Sequence, residues 1–188
     1  MSIPQSVKLH KVFTLISEYK IHIVLSFVLL TAISAHVAIP VQPVPFTMQT
    51  LVVLLSGMVL GSKKGAYAQI MYLTLGLVGL PVFATTGNMT TGILRLMGPT
   101  GGYLLAFPLA AFVAGAIFEY RKSIVSTIVA FAAGETIILA FGTLFLSTFY
   151  VHDLKKSMVL GVSMFSIWTL SKIVIGSGII RTYTKFKK

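Results

Sequence analysis

Asp153 and Lys156 are the two ionisable residues whose spacing most clearly suits recognition chemistry. At i and i+3 they share one face at the start of a helix, while Lys155 points about 100° away from Lys156. A carboxylate acceptor beside a three-donor ammonium can grip a small polar group offering both N–H and C=O. The same residues equally suit a helix cap, Asp153 favouring the positive end while the lysines extend to water. Arg95 stands in a Gly/Thr stretch, where its planar fork suits a ligand carboxylate, an ion pair with Asp153, or a lipid headgroup. Gly98, Gly101 and Gly102 follow, and they let backbone approach either a ligand or a neighbouring helix. Thr47, Gln49 and Asn88 are able to orient a ligand, or to serve as caps and interhelical hydrogen bonds. Phe46 and Tyr103 offer rings to a ligand or to the aromatic belt of a membrane interface.

Glu135 and Lys172 fall inside apolar runs, where charges are costly and usually face a partner or the interior. They could pair with one another; Lys172 could instead snorkel, and Glu135 could be a proton-coupling carboxylate. The four histidines, His10, His22, His36 and His152, lie on different segments and lack metal-ligand spacing. There is no Gly-Lys-Ser/Thr phosphate loop, no Ser/His/Asp arrangement and no catalytic dyad. With no cysteine, thiol-metal and thiol-redox chemistry are excluded.

The elements that must position these residues are set by composition. Of 188 residues, 56% are hydrophobic and 10% charged, with mean hydropathy +0.93. A soluble domain carries about a quarter charged residues, so this chain cannot wet its outside and its solvent is lipid. The net charge of +11 forms no basic face, because the bases only punctuate apolar runs, and nucleic acid is not an expected partner. Continuous rather than alternating hydrophobicity excludes a membrane barrel. Six runs read as spanning helices: His22–Ile39, Phe46–Leu60, Ala66–Phe83, Tyr103–Phe118, Ile124–Tyr150 and Leu154–Ile180. The second is short for a bilayer, and Gly76, Gly79 and Pro81 imply a weak or broken end to the third. The expected fold is an all-α integral membrane protein of six transmembrane helices: a lead over 1–20, a bundle over 21–182 and a basic tail over 183–188. Met1–Lys20 lacks the pattern of a signal peptide and is expected to be a short amphipathic or irregular cytoplasmic lead.

Orientation follows from the short loops. Six spans place Lys8, Lys11, Lys20, Lys63, Lys64, Arg121, Lys122, Arg181, Lys185, Lys187 and Lys188 on one side, eleven of the fifteen basic residues. Arg95, Lys155 and Lys156 fall on the other. Both termini are therefore expected in the cytoplasm, with the Pro loop, the Gly/Thr loop and Asp153 facing out. On the first helix, Thr31/Ala35 and Ser34/Ala38 are small residues four apart, suited to internal packing or to seating another membrane subunit.

Four segments carry a resemblance: Ile39-Pro40-Val41-Gln42-Pro43-Val44-Pro45-Phe46-Thr47-Met48-Gln49-Thr50-Leu51 running on to Leu55-Ser56-Gly57-Met58, Tyr72 through Phe83, Gly98-Pro99-Thr100-Gly101-Gly102-Tyr103-Leu104, and Asp153 with Lys156. In this order they resemble the BioY family, the biotin-specific substrate-binding (S) component of energy-coupling factor (ECF) transporters, over about His22 to Ile180. His152 departs from the family's usual Gly before the Asp, and Ala84–Thr91 is poorer in Gly than usual. The resemblance implies a six-helix S component in the plasma membrane of a prokaryote, capturing biotin from outside. It implies docking on a transmembrane coupling protein with two ATPase subunits, with small residues of the first helix like the family's docking surface. It also implies that Asp153 and Lys156 hold the ureido head, and that Arg95 binds substrate or braces Asp153. No cofactor is expected; biotin would be a transported ligand, and no covalent chemistry is expected. The rival expectations are a self-sufficient proton-coupled carrier, which would depend on Glu135, and an intramembrane enzyme, which would need a reactive set the sequence lacks.

The helix phase makes a testable statement. Lys156→Ala should lose much more affinity for biotin than Lys155→Ala, since only Lys156 shares a face with Asp153. Equal losses by titration calorimetry would show the phase to be wrong.

Overall fold

A computed structural model of the chain describes residues 5–84, 92–163 and 165–186, with side chains left undescribed at 5–20, 162, 163 and 165–167. It is all-α apart from one two-residue ladder. Helix α1 runs unbroken from Gln5 to His36, so the expected lead and first span form one helix. Pro40, Pro43 and Pro45 forbid its continuation. The chain instead folds back on itself, β1 (Ala38–Ile39) pairing antiparallel with β2 (Phe46–Thr47) in the register Ala38↔Thr47 and Ile39↔Phe46. This ladder takes Phe46 and Thr47 out of the second helix, and α2 begins at Gln49 and ends at Leu60.

A tight turn at Gly61, with φ +91°, leads into α3 (Ser62–Leu77). The amide at the start of α3, which has no partner within the helix, is satisfied from a distant helix: Ser62 N–H donates to Glu119 Oε1 at 3.0 Å and its hydroxyl to Oε2 at 2.8 Å. A carboxylate there also suits the positive end of the helix. The expected weak end of the third run appears as a stop after Leu77. Leu80 N–H donates to the Leu75 carbonyl and Gly79 N–H to that of Gly76, with Gly79 at φ +100°, the hydrogen-bond pattern that closes a helix on a left-handed residue.

After the short α4 (Ile93–Leu96), α5 (Gly101–Leu105) and α6 (Phe107–Tyr120) make one apolar rod interrupted at Ala106. Pro108 explains the interruption, because its ring removes a donor and crowds the carbonyl four residues back. Helix α7 (Ile124–Leu146) continues into a π-helical turn at Ser147–Val151. The last segment comprises α8 (Leu154–Met158), a second π-helical turn at Val159–Ser163, and α9 (Phe165–Phe186). Gly101–Tyr120 and Ile124–Val151 are long and apolar enough to cross a membrane; Ile21–His36 and Gln49–Leu60 are apolar but shorter. Ile21, Leu25, Leu29 and Ile33 on α1, Val125, Ile128 and Val129 on α7, and Leu170, Val174 and Ile175 on α9 are all exposed. Apolar faces this extensive suit lipid rather than water.

The core sits where α2, α3 and α6 approach at backbone distance. A Cβ on Gly57 would lie 1.9 Å from the Ala111 carbonyl oxygen; one on Gly65 would lie 2.5 Å from Gly57 Cα; one on Gly115 would lie 2.6 Å from the Gly57 oxygen. Ala110, Ala111 and Ala114 continue that seam at zero exposure. Small residues are what let helices in a bilayer gain close packing, since lipid tails compete equally for larger apolar ones. Gly57→Ala should therefore lower the melting temperature in detergent sharply or abolish folded protein. Gly178→Ala, which meets nothing within 4 Å, should be neutral or slightly stabilising through helix propensity. Equal behaviour of the two variants in a thermal melt would contradict the seam.

Candidate functional site

The ladder, the start of α2, the α4–α5 turn and the middle of α7 converge on one cavity. The space between them, open solvent at its mouth included, is about 440 Å³, and Val44, Pro45, Ala84, Leu104, Phe107 and Ile138 supply its apolar wall. Its polar lining is Thr47, Gln49, Thr50, Arg95, Thr100 and Tyr103. Polar groups converging from several elements onto an apolar wall are the usual make-up of a site for a small organic ligand.

Each polar group is placed by its element. The ladder turns Thr47 toward the first turn of α2, where its hydroxyl accepts from Gln49 N–H at 3.3 Å and donates to Gln49 Oε1 at 3.4 Å. Gln49 Nε2 donates to the Tyr72 hydroxyl at 2.6 Å, and that hydroxyl donates to the Val82 carbonyl at 3.1 Å. Tyr72 is itself wholly buried, edge-on to Phe83 at 5.5 Å and stacked on Phe107 at 6.4 Å. Gln49 is thus locked from two sides. Half-buried Arg95 sits on α4, where burial draws its guanidinium below its ordinary range and the nearby Tyr72 opposes that shift. It nonetheless stays cationic, as arginine does in proteins. The Thr100 hydroxyl is buried and has no hydrogen-bond partner among the described residues. A polar ligand atom would satisfy it.

Tyr103 lies with its ring on Gly142 and its hydroxyl against Gly161, each too close to admit a Cβ. The π-helical turn at Val159–Ser163 carries Gly161 to this contact, as such turns often re-aim backbone beside functional sites.

Several expected site residues are placed elsewhere. Gly101 and Gly102 do not line the cavity. A Cβ on Gly101 would strike the Leu96 carbonyl at 1.8 Å, and one on Gly102 would lie 2.3 Å from Phe145 Cβ. Of their two possible uses the structure realises close packing, seating α5 on α4 and α7. Phe46 is buried in the core behind the ladder and borders a separate hollow with Trp168. Asn88 lies outside the described residues. The stripe on α1 is not an open face: Thr31 and Ala35 have zero exposure and Ser34 is buried, with Gln69 Nε2 donating to the Thr31 hydroxyl at 3.4 Å. Ala38, half-buried, belongs to β1. Thr31, Ser34 and Ala35 are thus packed inside this chain, with Thr31 held against α3.

Asp153 and Lys156 are exposed and stand outside the cavity lining. Asp153 caps α8, its carboxylate accepting from Lys156 N–H at 3.1 Å. His152 before it has φ +53°, the left-handed conformation that glycine adopts freely and histidine tolerates. The turn thus keeps a glycine-like shape despite the His. The pair shares an end of the bundle with the cavity, because Tyr150, just before it, donates its hydroxyl to the Met97 carbonyl after α4.

Beneath the cavity, Glu135 and Lys172 form a buried ion pair at 3.5 Å. Thr50 and Thr169 donate to Glu135 Oε1 at 3.2 and 3.3 Å, and Lys172 Nζ donates to Thr50 Oγ1 at 2.7 Å. Thr50, Tyr72 and Thr100 were not legible as site residues; each sits in or beside an apolar run with nothing to mark its direction.

The chain matches the model of the BioY family over residues 8–188. It is 43% identical to "Biotin transporter BioY" of Thermotoga maritima over 151 residues, covering 80% of this chain and 87% of that one. It is 36% identical to "Probable biotin transporter BioY" of Pyrococcus horikoshii, covering 79% of this chain and 85% of that one. The fold is similar, at TM-score 0.78, 24% identity and coverage of 98% and 95%, to the crystal structure of the S-component for biotin from an ECF-type ABC transporter. With the match of the family model running across nearly the whole sequence, this chain belongs to the BioY family.

Proposed function

We propose that this chain is the biotin-binding S component of an energy-coupling factor transporter: a membrane subunit that captures the vitamin and does no covalent chemistry. The observation that carries this reading is a cationic, half-buried Arg95 on the wall of an otherwise mostly apolar cavity. Biotin is an apolar bicycle with a ureido group at one end and a carboxylate at the other. Arg95 receives the carboxylate, for which the guanidinium fork is suited. The locked Gln49, Thr47 and Thr100 meet polar atoms of the body, and the rings of Tyr103 and Phe107 cover its apolar face. Asp153 and Lys156 are offered to the ureido head from the rim at the same end.

In this reading the helical segments cross the membrane six times with both termini in the cytoplasm, supported by the distribution of Lys and Arg. The cavity then opens outward. A transmembrane coupling protein and two ATPase subunits supply the work, since this sequence holds no nucleotide-binding loop. The exposed apolar faces of α1, α7 and α9 are available to lipid and to the coupling protein.

Titration calorimetry of the purified chain with biotin tests the reading. A saturable single-site heat is expected, and biotin amide, which lacks the carboxylate charge, should bind at least tenfold more weakly. In Arg95→Ala that difference should collapse, because biotin itself loses its charge-assisted contact. A flat trace with biotin would overturn the proposal, and a full amide penalty in Arg95→Ala would remove Arg95 from it.

A further inference from the structure

Thr50 lines the cavity, and its hydroxyl hydrogen-bonds to both members of the ion pair beneath. Its hydroxyl has one hydrogen to donate and two lone pairs to accept with. The ammonium of Lys172 can only donate, so at 2.7 Å it must use one lone pair of Thr50. The ionised carboxylate of Glu135 can only accept, so at 3.2 Å it must take the hydroxyl hydrogen. Thr169 holds the same Glu135 oxygen at 3.3 Å, and Lys172 itself lies 3.5 Å from it. Both side chains of the pair are only 4% exposed, so water does not compete for these contacts. The two charges therefore fix how Thr50 is used. One lone pair is left, so to a ligand atom that reaches this hydroxyl the residue is an acceptor and not a donor.

We propose that Thr50 is a specificity-determining residue of the cavity, admitting a ligand N–H or O–H and disfavouring a ligand lone pair, and that Glu135 and Lys172 are positioning residues acting through it. This rests on the reading that the cavity holds biotin. Biotin with its carboxylate ionised carries only two hydrogen-bond donors, both ureido N–H groups. One of them is the partner Thr50 selects, which turns that edge of the ring toward the floor of the cavity and leaves the ureido carbonyl and the other N–H to Lys156 and Asp153 at the rim. The pair also explains its own position. A buried ion pair is weak evidence for stability, but one that pins a hydroxyl on a binding surface has a use beyond holding helices together.

The test measures affinity for biotin and for its two mono-N-methyl ureido analogues, in the wild-type chain and in variants. Wild type should reject one N-methyl analogue by about tenfold or more, as expected when a buried hydrogen bond is lost. Thr50→Val, matched in shape, should bind biotin about tenfold more weakly and lose most of that discrimination, and Thr50→Ser should restore both. Glu135→Leu combined with Lys172→Met removes the charges without leaving either one alone, so the fold should persist in a thermal melt. With its hydroxyl freed to rotate, that double variant should discriminate less than wild type although Thr50 is present. A purely structural pair predicts the opposite: a folded double variant with wild-type discrimination, which would overturn the positioning role. Should the double variant not fold, the Thr50 variants decide alone, and full discrimination in a folded Thr50→Val overturns the proposal. Absence of biotin binding by the wild-type chain would instead refute the function on which the proposal rests.

Discussion

A lysine and a glutamate meeting across a threonine hold α2, α7 and α9 to one point beneath the cavity. Neither charge could be buried alone. Removing one partner of a buried pair costs about 3–5 kcal/mol, because the other is left without compensation. The geometry around the pair therefore constrains three helices at once: α9 must bring Lys172 to within 2.7 Å of Thr50, and α7 must bring Glu135 to within 3.2 Å. Ile138, one turn beyond Glu135, then faces the cavity, while Thr50 lies one residue beyond the locked Gln49. The floor of the site and the join of the bundle are the same set of atoms.

The opposite strategy operates at the centre of the contact between α2, α3 and α6, where backbone meets backbone. Gly57, Gly65 and Gly115 remove side chains from the contact, so that backbone packs on backbone. Polar ties flank that contact: Gln69 donates to the Ser56 hydroxyl at 3.0 Å, Ser62 to Glu119, and Gln49 to Tyr72. The rigid α2–α3–α6 unit gives the first turn of α2 a fixed base, from which the ladder and Gln49 are built out into the site. Tyr72 on α3 belongs to that base and reaches the site only through Gln49 and Phe107.

Much of the architecture was legible in the sequence because lipid imposes a blunt code of long apolar runs with charged or Pro/Gly punctuation. The prolines after Ile39, the stop near Gly79 and Pro81, and the boundary at Arg121 and Lys122 all fall where backbone chemistry requires. Direction around each helix is not written in such a code. An unbroken apolar run has no polar side to set its phase, so Thr50, Thr100 and Tyr72 carried no mark of facing the site. For the same reason the small residues of α1 could be read either as a seat for a partner or as packing, and the structure buries them. The unbroken passage of α1 from Gln5 was hidden by charged residues that resemble a lead. Glu135 and Lys172 were visible as misfits, but their meeting through Thr50 depended on where α9 settles after its π-helical turn. Arg95, Gln49, Thr47 and Tyr103 stood out as polar or aromatic residues beside Gly- and Pro-rich turns, although caps, interhelical hydrogen bonds or an aromatic belt would equally explain them.

The central claim is that the cavity beside Arg95 opens away from the cytoplasm and holds the vitamin. The chain has no cysteine, so a single Thr100→Cys substitution places one thiol in the lining without any background. In intact cells a membrane-impermeant methanethiosulfonate should react with it, and saturating biotin should protect it. Labelling confined to inverted vesicles, or a rate indifferent to biotin, would contradict the account.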